Sequence, residues 1–255
     1  MIKIYPLWLR EKLTWRLENI LKLKINHKKV PLEFAPGCFM DLNPSDVGHR
    51  HLMRNYFYEL DLSKQITSLS KFGGLLFDVG ANYGYFSIIW ANSNSNNKVI
   101  AFEASPNNIS QLRHNVILNN FSSQVSIEKF ALGANVGIMS FYLGNESGQT
   151  GWGGLILDEN ENSVEVEVNT IDNYCNSNNI EKIDVLKIDV EGADTLVLYG
   201  ARKMLSEKKI NHIFFEQNLV RMEKLKIQSN EPINFLKDLG YIVEEISVNE
   251  YYAHL

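Results

Sequence analysis

The sequence predicts an α/β protein built on a mostly parallel sheet that helices cover on both faces. From residue 75 onward, short apolar runs alternate with longer stretches of helical periodicity, and the first run ends in a glycine turn. Strands that are apolar on both faces are typical of parallel sheets between two helical layers. Residues 138–175 alternate with period two instead, which indicates half-exposed strands. We therefore expect an α/β domain over 75–255 with an inserted β-hairpin, and an N-terminal helical extension over 1–74.

The composition is that of a soluble globular protein, with 45% hydrophobic and 22% charged residues among 255. A net charge of −5 argues against a nucleic-acid partner, because a phosphate backbone selects for clustered positive charge. No apolar run approaches the ~20 residues of a bilayer-crossing helix. Cys38 and Cys175 stand far apart without a C-x-x-C spacing, so we expect neither a zinc cluster nor a disulfide framework, and a reducing, cytoplasmic setting.

Residues 1–30 form a basic segment, with eight lysines and arginines against two glutamates. Between residues 7 and 25 the apolar residues recur at helical spacing, and Trp8 and Trp15 lie seven apart on a neighbouring strip. This amphipathic helix either packs on the main domain or on the second subunit of a homodimer, or it lies on an anionic membrane surface with its tryptophans at headgroup depth. It lacks the apolar core and cleavage site of a secretory signal, so we take it as part of the mature protein.

The lead-in, residues 31–74, is rich in proline and glycine and contains one predicted helix near 49–62. His49 and His51 in this stretch are a poor metal site by themselves. We expect these two side chains to be solvated or to cap backbone groups.

Five apolar runs supply the parallel strands, and two later runs complete the sheet. Ligands on such sheets bind beyond the carboxyl ends of the strands. The runs are LLFDVG (75–80), KVIAFEAS (98–105), VSIEKFALG (125–133), DVLKIDVEG (184–192), NHIFFEQN (211–218), YIVEEIS (241–247) and YYAHL (251–255). In the inserted hairpin, a glycine-rich tip around Trp152 is either a plain loop or a mobile lid whose tryptophan contacts the acceptor.

The turn after the first strand, FDVGANYGYFS at 77–87, aims the backbone N–H groups of a helix N-terminus at its ligand. A dinucleotide-binding turn has a glycine where this sequence has Asn82, because a side chain there obstructs the pyrophosphate. Glu103 ends the second strand, where a carboxylate can accept hydrogen bonds from two ribose hydroxyls. Asp78 and Glu103 together suit a ligand with a ribose, an ammonium and a sulfonium, which describes S-adenosylmethionine. Alternatively, Asp78 caps the turn and Glu103 is solvated.

Six segments between residues 77 and 218 resemble, in this order, the FkbM family of S-adenosylmethionine-dependent methyltransferases. They are FDVGANYGYFS, VIAFEASPNNISQLRHNVILNN, EKFALG, VEVNTIDNY, IDVLKIDVEGADTLVLYGARKML and HIFFEQN. The resemblance implies a class I methyltransferase, Rossmann-like sheet with the strand order 3-2-1-4-5-7-6 and strand 7 antiparallel. It also implies O-methylation of a hydroxyl on a sugar, glycan or polyketide-type acceptor.

The resemblance further implies which residues bind the cofactor. The residues at the matching positions are, for the methionine end, Asp78, Gly80, Asn82 and Gly84, for the ribose, Glu103, and for the adenine pocket, Ala104, Ser105, Asn107, Phe130 and Ala131. The family often has a proline after the glutamate, where this chain has Ala104. Losing that proline leaves the turn looser but keeps the carboxylate.

Catalytic groups are expected at the ends of strands 4 and 5. Asp189 and Glu216 are the predicted acid/base pair, and Lys187 is the charge partner that keeps one carboxylate ionised. Methyl transfer to a hydroxyl needs in-line orientation and a destination for the proton, which a carboxylate supplies. Alternatively, Asp189 only contacts the methionine end of the cofactor, and Glu216 caps a helix. The converging carboxylates could also hold a divalent ion.

Two other functions share parts of this pattern. A nicotinamide-dependent oxidoreductase has the same fold class but needs the glycine that is absent at position 82. A non-catalytic binding protein with a methyltransferase fold would not be expected to keep Glu103, Asp189 and Glu216 at the strand ends. The leading prediction is therefore a cytoplasmic or membrane-associated O-methyltransferase with a hydroxylated small-molecule or glycan acceptor and no nucleic-acid partner.

Overall fold

The computed structural model describes residues 6–13, 29–144, 150–157 and 162–255. Its strands are, in chain order, β1 (Lys29–Pro31), β2 (Phe39–Asp41), β3 (Leu75–Val79), β4 (Lys98–Phe102), β5 (Val125–Glu128), β6 (Ala131–Leu132), β7 (Gly137–Tyr142), β8 (Gly154–Ile156), β9 (Ser163–Asn169), β10 (Ile183–Ile188), β11 (Ile210–Glu216), β12 (Ile242–Ser247) and β13 (Glu250–His254). Its helices are α1 (described over residues 7–13), α2 (Val47–Asn55), α3 (Leu60–Ser70), α4 (Tyr85–Ser93), α5 (Pro106–Leu118), α6 (Ile171–Ser177), α7 (Asp194–Tyr199), α8 (Arg202–Ser206), α9 (Leu219–Lys224) and α10 (Glu231–Asp238).

A seven-stranded sheet forms the centre of the molecule, in the order β12-β13-β11-β10-β3-β4-β5. Strand β13 is antiparallel to both β11 and β12, and the other neighbours run parallel. Counted along the chain and read from β5, this is the order 3-2-1-4-5-7-6 with strand 7 antiparallel. The predicted class I methyltransferase fold is confirmed.

Helices cover both faces of this sheet. Successive side chains of a strand point to opposite faces, so neighbouring residues enter different cores. On β3, Leu76 belongs to a core that includes Trp90 of α4, whereas Phe77 belongs to a second core that includes Leu198 of α7. Each such large apolar side chain stabilises the fold by about 1.5–3 kcal/mol when it is fully buried. The run LLFDV is therefore apolar throughout because it is buried on both faces.

The inserted segment is larger than the predicted hairpin. Strands β7 and β9 pair antiparallel from Gly137↔Val168 to Tyr142↔Ser163, as a hairpin requires. In addition, β8 pairs with the other edge of β7, and the two-residue β6 joins β9 in parallel, which gives a four-stranded sheet in the order β6-β9-β7-β8. The described end of the glycine-rich tip forms a 3₁₀ turn over Thr150–Trp152 and continues as β8, whereas residues 145–149 lie outside the described residues, so the lid stays a prediction.

The lead-in contains two helices where the sequence predicts one. The chain adopts the left-handed conformation at Tyr56 (φ 65°) and Glu59 (φ 41°), and this turn separates α2 from α3. Leu52 of α2 and Ile66 of α3 are buried in the same core as Leu76. The lead-in thus packs on the sheet domain, and the boundary at residue 74 stays a prediction.

One buried arginine attaches helix α1 to the lead-in. Arg10 is 2% exposed, and its Nη1 donates to Glu33 Oε2 (2.8 Å) and to the carbonyl oxygen of Asn55 (2.9 Å). Trp8 on the same helix is 53% exposed. Most of the predicted basic helix, including Trp15, lies outside the described residues, so membrane contact and a homodimer stay predictions. Within the described ranges, no helix is long and apolar enough to cross a bilayer.

We predict that Arg10→Met lowers the free energy of unfolding by about 1.5–3 kcal/mol, the usual contribution of hydrogen bonds to a charged group. The substitution removes both contacts and leaves the Glu33 carboxylate without this partner. Denaturant unfolding monitored by circular dichroism measures the change. Lys12→Met is the matched control, because Lys12 is an exposed cation on the same helix. Equal stability of the two variants would contradict attachment through Arg10.

Candidate active site

Two cavities meet at the carboxyl ends of the parallel strands. The narrow cavity, about 60 Å³, lies beyond β3, β4 and β10 and is closed on its outer side by the inserted sheet. The wide cavity, about 540 Å³, lies between the lead-in, α4, the ends of β10 and β11, and α9. Both cavities are lined by Gly80, Asn82, Gly151 and Asp189. This shared wall is where a group bound in one cavity can reach a group bound in the other.

The turn between β3 and α4 needs its two glycines for different reasons. Gly80 (φ +74°) approaches the end of β10 so closely that a Cβ would lie 1.9 Å from the carbonyl oxygen of Asp189. Gly84 (φ +89°) begins α4, and a Cβ there would lie 2.6 Å from Leu112. Asn82 adopts positive φ (49°), as the sequence predicts. Of the two glycines, only Gly80 lines one of these cavities, whereas Gly84 packs against Leu112 and its cofactor contact stays a prediction.

Lys187 joins the end of β10 to the end of β3. Its Nζ donates to the carbonyl oxygen of Gly80 (3.0 Å) and lies 3.4 Å from Asp78 Oδ1 and 3.5 Å from Asp189 Oδ2. Lys187 is 2% exposed, and burial alone would lower its pKa. The carboxylates of Asp189, Asp78 and Glu59 outweigh that effect and raise the pKa of Lys187, so the ammonium stays charged.

Asp78 is a support of the turn and does not line either cavity. It is 1% exposed, and its Oδ2 accepts a hydrogen bond from the Ser87 hydroxyl (2.6 Å). With Lys187 on its other oxygen, the carboxylate lies beneath the turn. The described partners of Asp78 agree with the alternative that it caps the turn, and its contact with the methionine end of the cofactor stays a prediction.

Glu103 is held at the floor of the narrow cavity by two backbone groups. Its Oε2 accepts from the N–H of Asn82 (2.7 Å) and its Oε1 from the N–H of Ser105 (2.8 Å). The side chain is 5% exposed, and burial raises the pKa of Glu103 to about 7 despite these hydrogen bonds. Each carboxylate oxygen can accept a further hydrogen bond. The carboxylate can thus receive two neighbouring hydroxyls, as the sequence predicts for a ribose.

The other predicted cofactor residues lie around the narrow cavity with one exception. Ala104, Ser105, Phe130 and Ala131 line it. Asn107 is exposed, and Asn108 lines the cavity in its place, because one step along a helix rotates the side chain by about 100°. Sequence reasoning also missed the side chains that close the cavity from outside, which are Leu132, Phe141 and Leu155. Their apolar alternation marks a buried face, but nothing in the sequence says what that face covers.

The residues of the narrow cavity fit S-adenosylmethionine. Glu103 matches a ribose diol, and the apolar side chains of Phe130 and Leu132 match an adenine ring. Asn82 Oδ1 and Ser105 Oγ are buried without a hydrogen-bond partner among the described residues, so they can receive polar groups of a ligand. Ligand pockets are usually about 300–1,000 Å³. The narrow cavity is smaller than this range, and it meets the wide cavity of about 540 Å³ at their shared wall.

The wide cavity combines carboxylates with aromatic walls. Asp189, Glu191 and Glu216 lie on one side. Burial, followed by the charges of Asp189, Asp194, Glu191 and Glu250, raises the pKa of Glu216 to about 8, and burial raises that of Glu191 to about 7. The aromatic residues that line this cavity are Tyr58, Tyr83, Tyr85, Phe86 and Trp152.

The N-terminal end of α9 lies beside the wide cavity and bears on the alternative that Glu216 caps a helix. Helix α9 is capped by Asn218, whose side chain accepts from the N–H of Arg221. Glu216 therefore does not cap this helix. Arg221 also donates to the carbonyl oxygen of Trp152, and this contact fastens the inserted segment to α9.

The described residues include no group of three or more His, Cys, Asp or Glu side chains in an arrangement that could hold a metal ion. Of the two roles predicted for the lead-in histidines, solvation is wrong for His49, which is 6% exposed and lines the wide cavity. His51 has polar partners, since its Nε2 lies 3.1 Å from Asn55 Nδ2 and 3.3 Å from Glu11 Oε1.

The sheet order, the glycine turn after β3 and the buried carboxylate after β4 define a class I S-adenosylmethionine-dependent methyltransferase. The family model described as "Methyltransferase FkbM domain" matches residues 78–243. The chain therefore belongs to the FkbM methyltransferase family. This result overturns the nicotinamide-dependent oxidoreductase as an alternative.

Several solved structures are similar to this chain at low sequence identity. The METTL16 MTase domain has a TM-score of 0.49 and 12% identity, and the match covers 99% of this chain and 81% of that one. P. horikoshii TYW2 in complex with MeSAdo has a TM-score of 0.41 and 13% identity over 96% and 80% of the chains. An uncharacterised protein from Listeria monocytogenes serotype 4b has a TM-score of 0.44 and 12% identity; 77% of this chain matches 65% of that one, just under two thirds. No curated protein sequence matches.

We predict that Glu103→Ala weakens S-adenosylhomocysteine binding by ten- to a hundredfold in Kd, since hydrogen bonds to a charged group contribute about 1.5–3 kcal/mol. Because the pKa of Glu103 is raised to about 7, wild-type affinity should increase between pH 6 and 8 as the carboxylate ionises, and the variant should lose this dependence. Isothermal titration calorimetry measures both effects. Asn107→Ala is the control and should bind as wild type does. Unchanged affinity of a folded Glu103→Ala variant would remove the carboxylate from the cofactor site.

Proposed function

We propose that this methyltransferase transfers the methyl group to a hydroxyl oxygen of a sugar, glycan or polyketide-type acceptor bound in the wide cavity. The observation that carries the proposal is the shared wall between the two cavities, formed by Gly80, Asn82, Gly151 and Asp189. A donor held on Glu103 and an acceptor in the wide cavity face each other across this wall. Orientation of two reactants in this way supplies a large part of the acceleration of a bimolecular displacement.

The lining of the wide cavity supports a polyhydroxylated acceptor. Aromatic faces such as Tyr58, Tyr85 and Trp152 pack against the C–H faces of a sugar or a reduced polyketide, while carboxylates accept hydrogen bonds from its hydroxyls. A cavity of about 540 Å³ lies within the usual range of small-molecule sites. Binding of this kind orients one hydroxyl and leaves the others hydrogen-bonded.

An alcohol needs a destination for its proton, and two carboxylates of the wide cavity are available. Asp189 lines both cavities and belongs to the shared wall, whereas Glu216 lines only the wide cavity of the two. Glu216 has a raised pKa and can hold or release a proton near pH 8. Lys187 stays charged and keeps a positive group 3.5 Å from the Asp189 carboxylate. When bound, S-adenosylmethionine supplies an electrophilic methyl group.

The proposal is tested by incubating the protein with deuteromethyl S-adenosylmethionine and separate panels of free sugars, nucleotide sugars, oligosaccharides and polyketide alcohols. We expect S-adenosylhomocysteine release and one added methyl group on a member of these panels. Resistance of the product to alkali distinguishes an ether from an ester, and two-dimensional NMR locates the methylated oxygen. Methylation of nitrogen or carbon would refute the O-methyl proposal. A protein that binds the cofactor but releases no product with any acceptor would instead support the non-catalytic alternative.

We predict that Asp189→Asn and Glu216→Gln each lower kcat by about 10²–10⁴, the range of general acid–base catalysis, while cofactor affinity changes far less. Wild-type kcat should increase with pH through about 8 as Glu216 ionises, and Glu216→Gln should abolish this increase. Steady-state kinetics from pH 6 to 9, with calorimetry for the cofactor, separate the two parameters. Glu223→Gln is the control, because Glu223 is exposed on α9 and lines neither cavity. Equal losses in kcat and cofactor affinity would make these carboxylates binding residues.

A further inference from the structure

His49 is a buried histidine in the wall of the wide cavity. It lies on α2, is 6% exposed, and lines the cavity together with Asp46 and Leu52. Its ring packs on Tyr83 with centroids 3.9 Å apart and an interplanar angle of 39°. Tyr83 follows Asn82, which belongs to the wall shared by the two cavities. His49 therefore lies close to the place where the donor and the acceptor meet.

The ring nitrogens of His49 have no hydrogen bond of ordinary geometry to any of the described residues. Asp46 Oδ1 is 3.7 Å from Nδ1, too far for a hydrogen bond, and accepts the backbone N–H of His49 as the cap of α2. The backbone of Asn43 is the other polar partner of the ring, through a hydrogen bond that is weaker than one of ordinary geometry. Buried polar groups are almost always paired, so an unpaired imidazole in a cavity wall indicates a partner supplied by a ligand.

His51, two residues further along α2, shows that this lack of partners is specific to the cavity side. Its Nε2 lies 3.1 Å from Asn55 Nδ2 and 3.3 Å from Glu11 Oε1, and it does not line the wide cavity. His51, which does not line the cavity, therefore has polar partners on the protein. His49, which lines the cavity, has no hydrogen bond of ordinary geometry to the described residues.

The protonation state of His49 suits a hydroxyl partner. Burial lowers its pKa, against the smaller raising effects of the Asp46 carboxylate and the Asn43 backbone, so the ring is neutral near pH 7. A neutral imidazole has one donor and one acceptor nitrogen. It can therefore donate to one hydroxyl oxygen and accept from another hydroxyl.

We propose that His49 binds the acceptor, with its imidazole forming a hydrogen bond to a hydroxyl of the molecule in the wide cavity. This inference rests on the proposed function, since it concerns the acceptor of the same site. It makes the lead-in a determinant of acceptor specificity in addition to its role in packing. The acceptor hydroxyl would also give the buried imidazole a hydrogen-bond partner.

The test compares His49→Phe, His49→Gln and the matched control His51→Phe. Phenylalanine keeps a ring against Tyr83 but has no polar atom, whereas glutamine keeps one donor and one acceptor. We expect KM for the acceptor to increase at least tenfold in His49→Phe and less in His49→Gln, with S-adenosylhomocysteine affinity within twofold of wild type in both. The control should keep the wild-type KM. A rescue by glutamine is not expected of a residue with a purely structural role.

A second measurement needs no acceptor. Since His49 is unpaired in the acceptor-free protein, His49→Phe should keep or raise the wild-type Tm, whereas His51→Phe should lower Tm because it removes paired groups. A wild-type KM in His49→Phe would overturn the inference. So would a Tm of both His49 variants below that of the control. An inert wild type would contradict the proposed function instead, and the Tm comparison would then decide whether His49 is an unpaired group kept for a ligand.

Discussion

The site depends on a single buried ammonium group. Lys187 and Asp78 are register partners on adjacent strands, and the lysine also binds the carbonyl oxygen of Gly80 and the carboxylate of Asp189. The Lys187 ammonium therefore contacts both the glycine turn after β3 and the residue that follows β10, and it holds the two together. An ion held this deeply is stable only with near-complete compensation, because removing one partner leaves an uncompensated buried charge. The glycine turn after β3 and Asp189 both contribute to the shared wall. Their relative position is thus fixed before any ligand binds.

More carboxylates surround Lys187 than one ammonium can neutralise. This excess of acidic groups affects the protonation of the carboxylates at the wide cavity. Glu59, Glu216 and Glu250 lie within electrostatic reach of Asp189 and have raised pKa values, with burial as the largest cause. Neighbouring carboxylates cannot all ionise together near one lysine. Of these three groups, Glu216 lines the wide cavity, and with a pKa of about 8 it holds a proton near neutral pH and can donate a hydrogen bond to a polyhydroxylated molecule. A fully ionised Glu216 could only accept hydrogen bonds.

The regular part of the site could be predicted from the sequence and the irregular part could not. Gly80 and Glu103 follow parallel strands, and the carboxyl ends of such strands meet at one edge of the sheet, so their positions follow from the topology. Asp78 and Gly84 occupy matching motif positions, but whether a side chain supports a turn or contacts a ligand depends on which neighbours cover it. The sequence predicts that His49 is solvated or caps backbone groups, because a helix of mixed pattern does not reveal what packs against its polar residues. The four-stranded insert was read as a hairpin because β6 and β8 are too short to show a period.

The cofactor side and the proposed acceptor side of the site are built from different kinds of structure. The cofactor side is built from strand ends and the turn, where steric limits such as the 1.9 Å approach at Gly80 leave little room for change. The acceptor side is built from the lead-in, the insert and α9, which are joined by individual contacts such as Arg221 to Trp152. Surface segments of this kind tolerate substitution without loss of the sheet. The proposed acceptor side can therefore vary more than the cofactor side, except at the shared wall of Gly80, Asn82, Gly151 and Asp189, which lines both cavities.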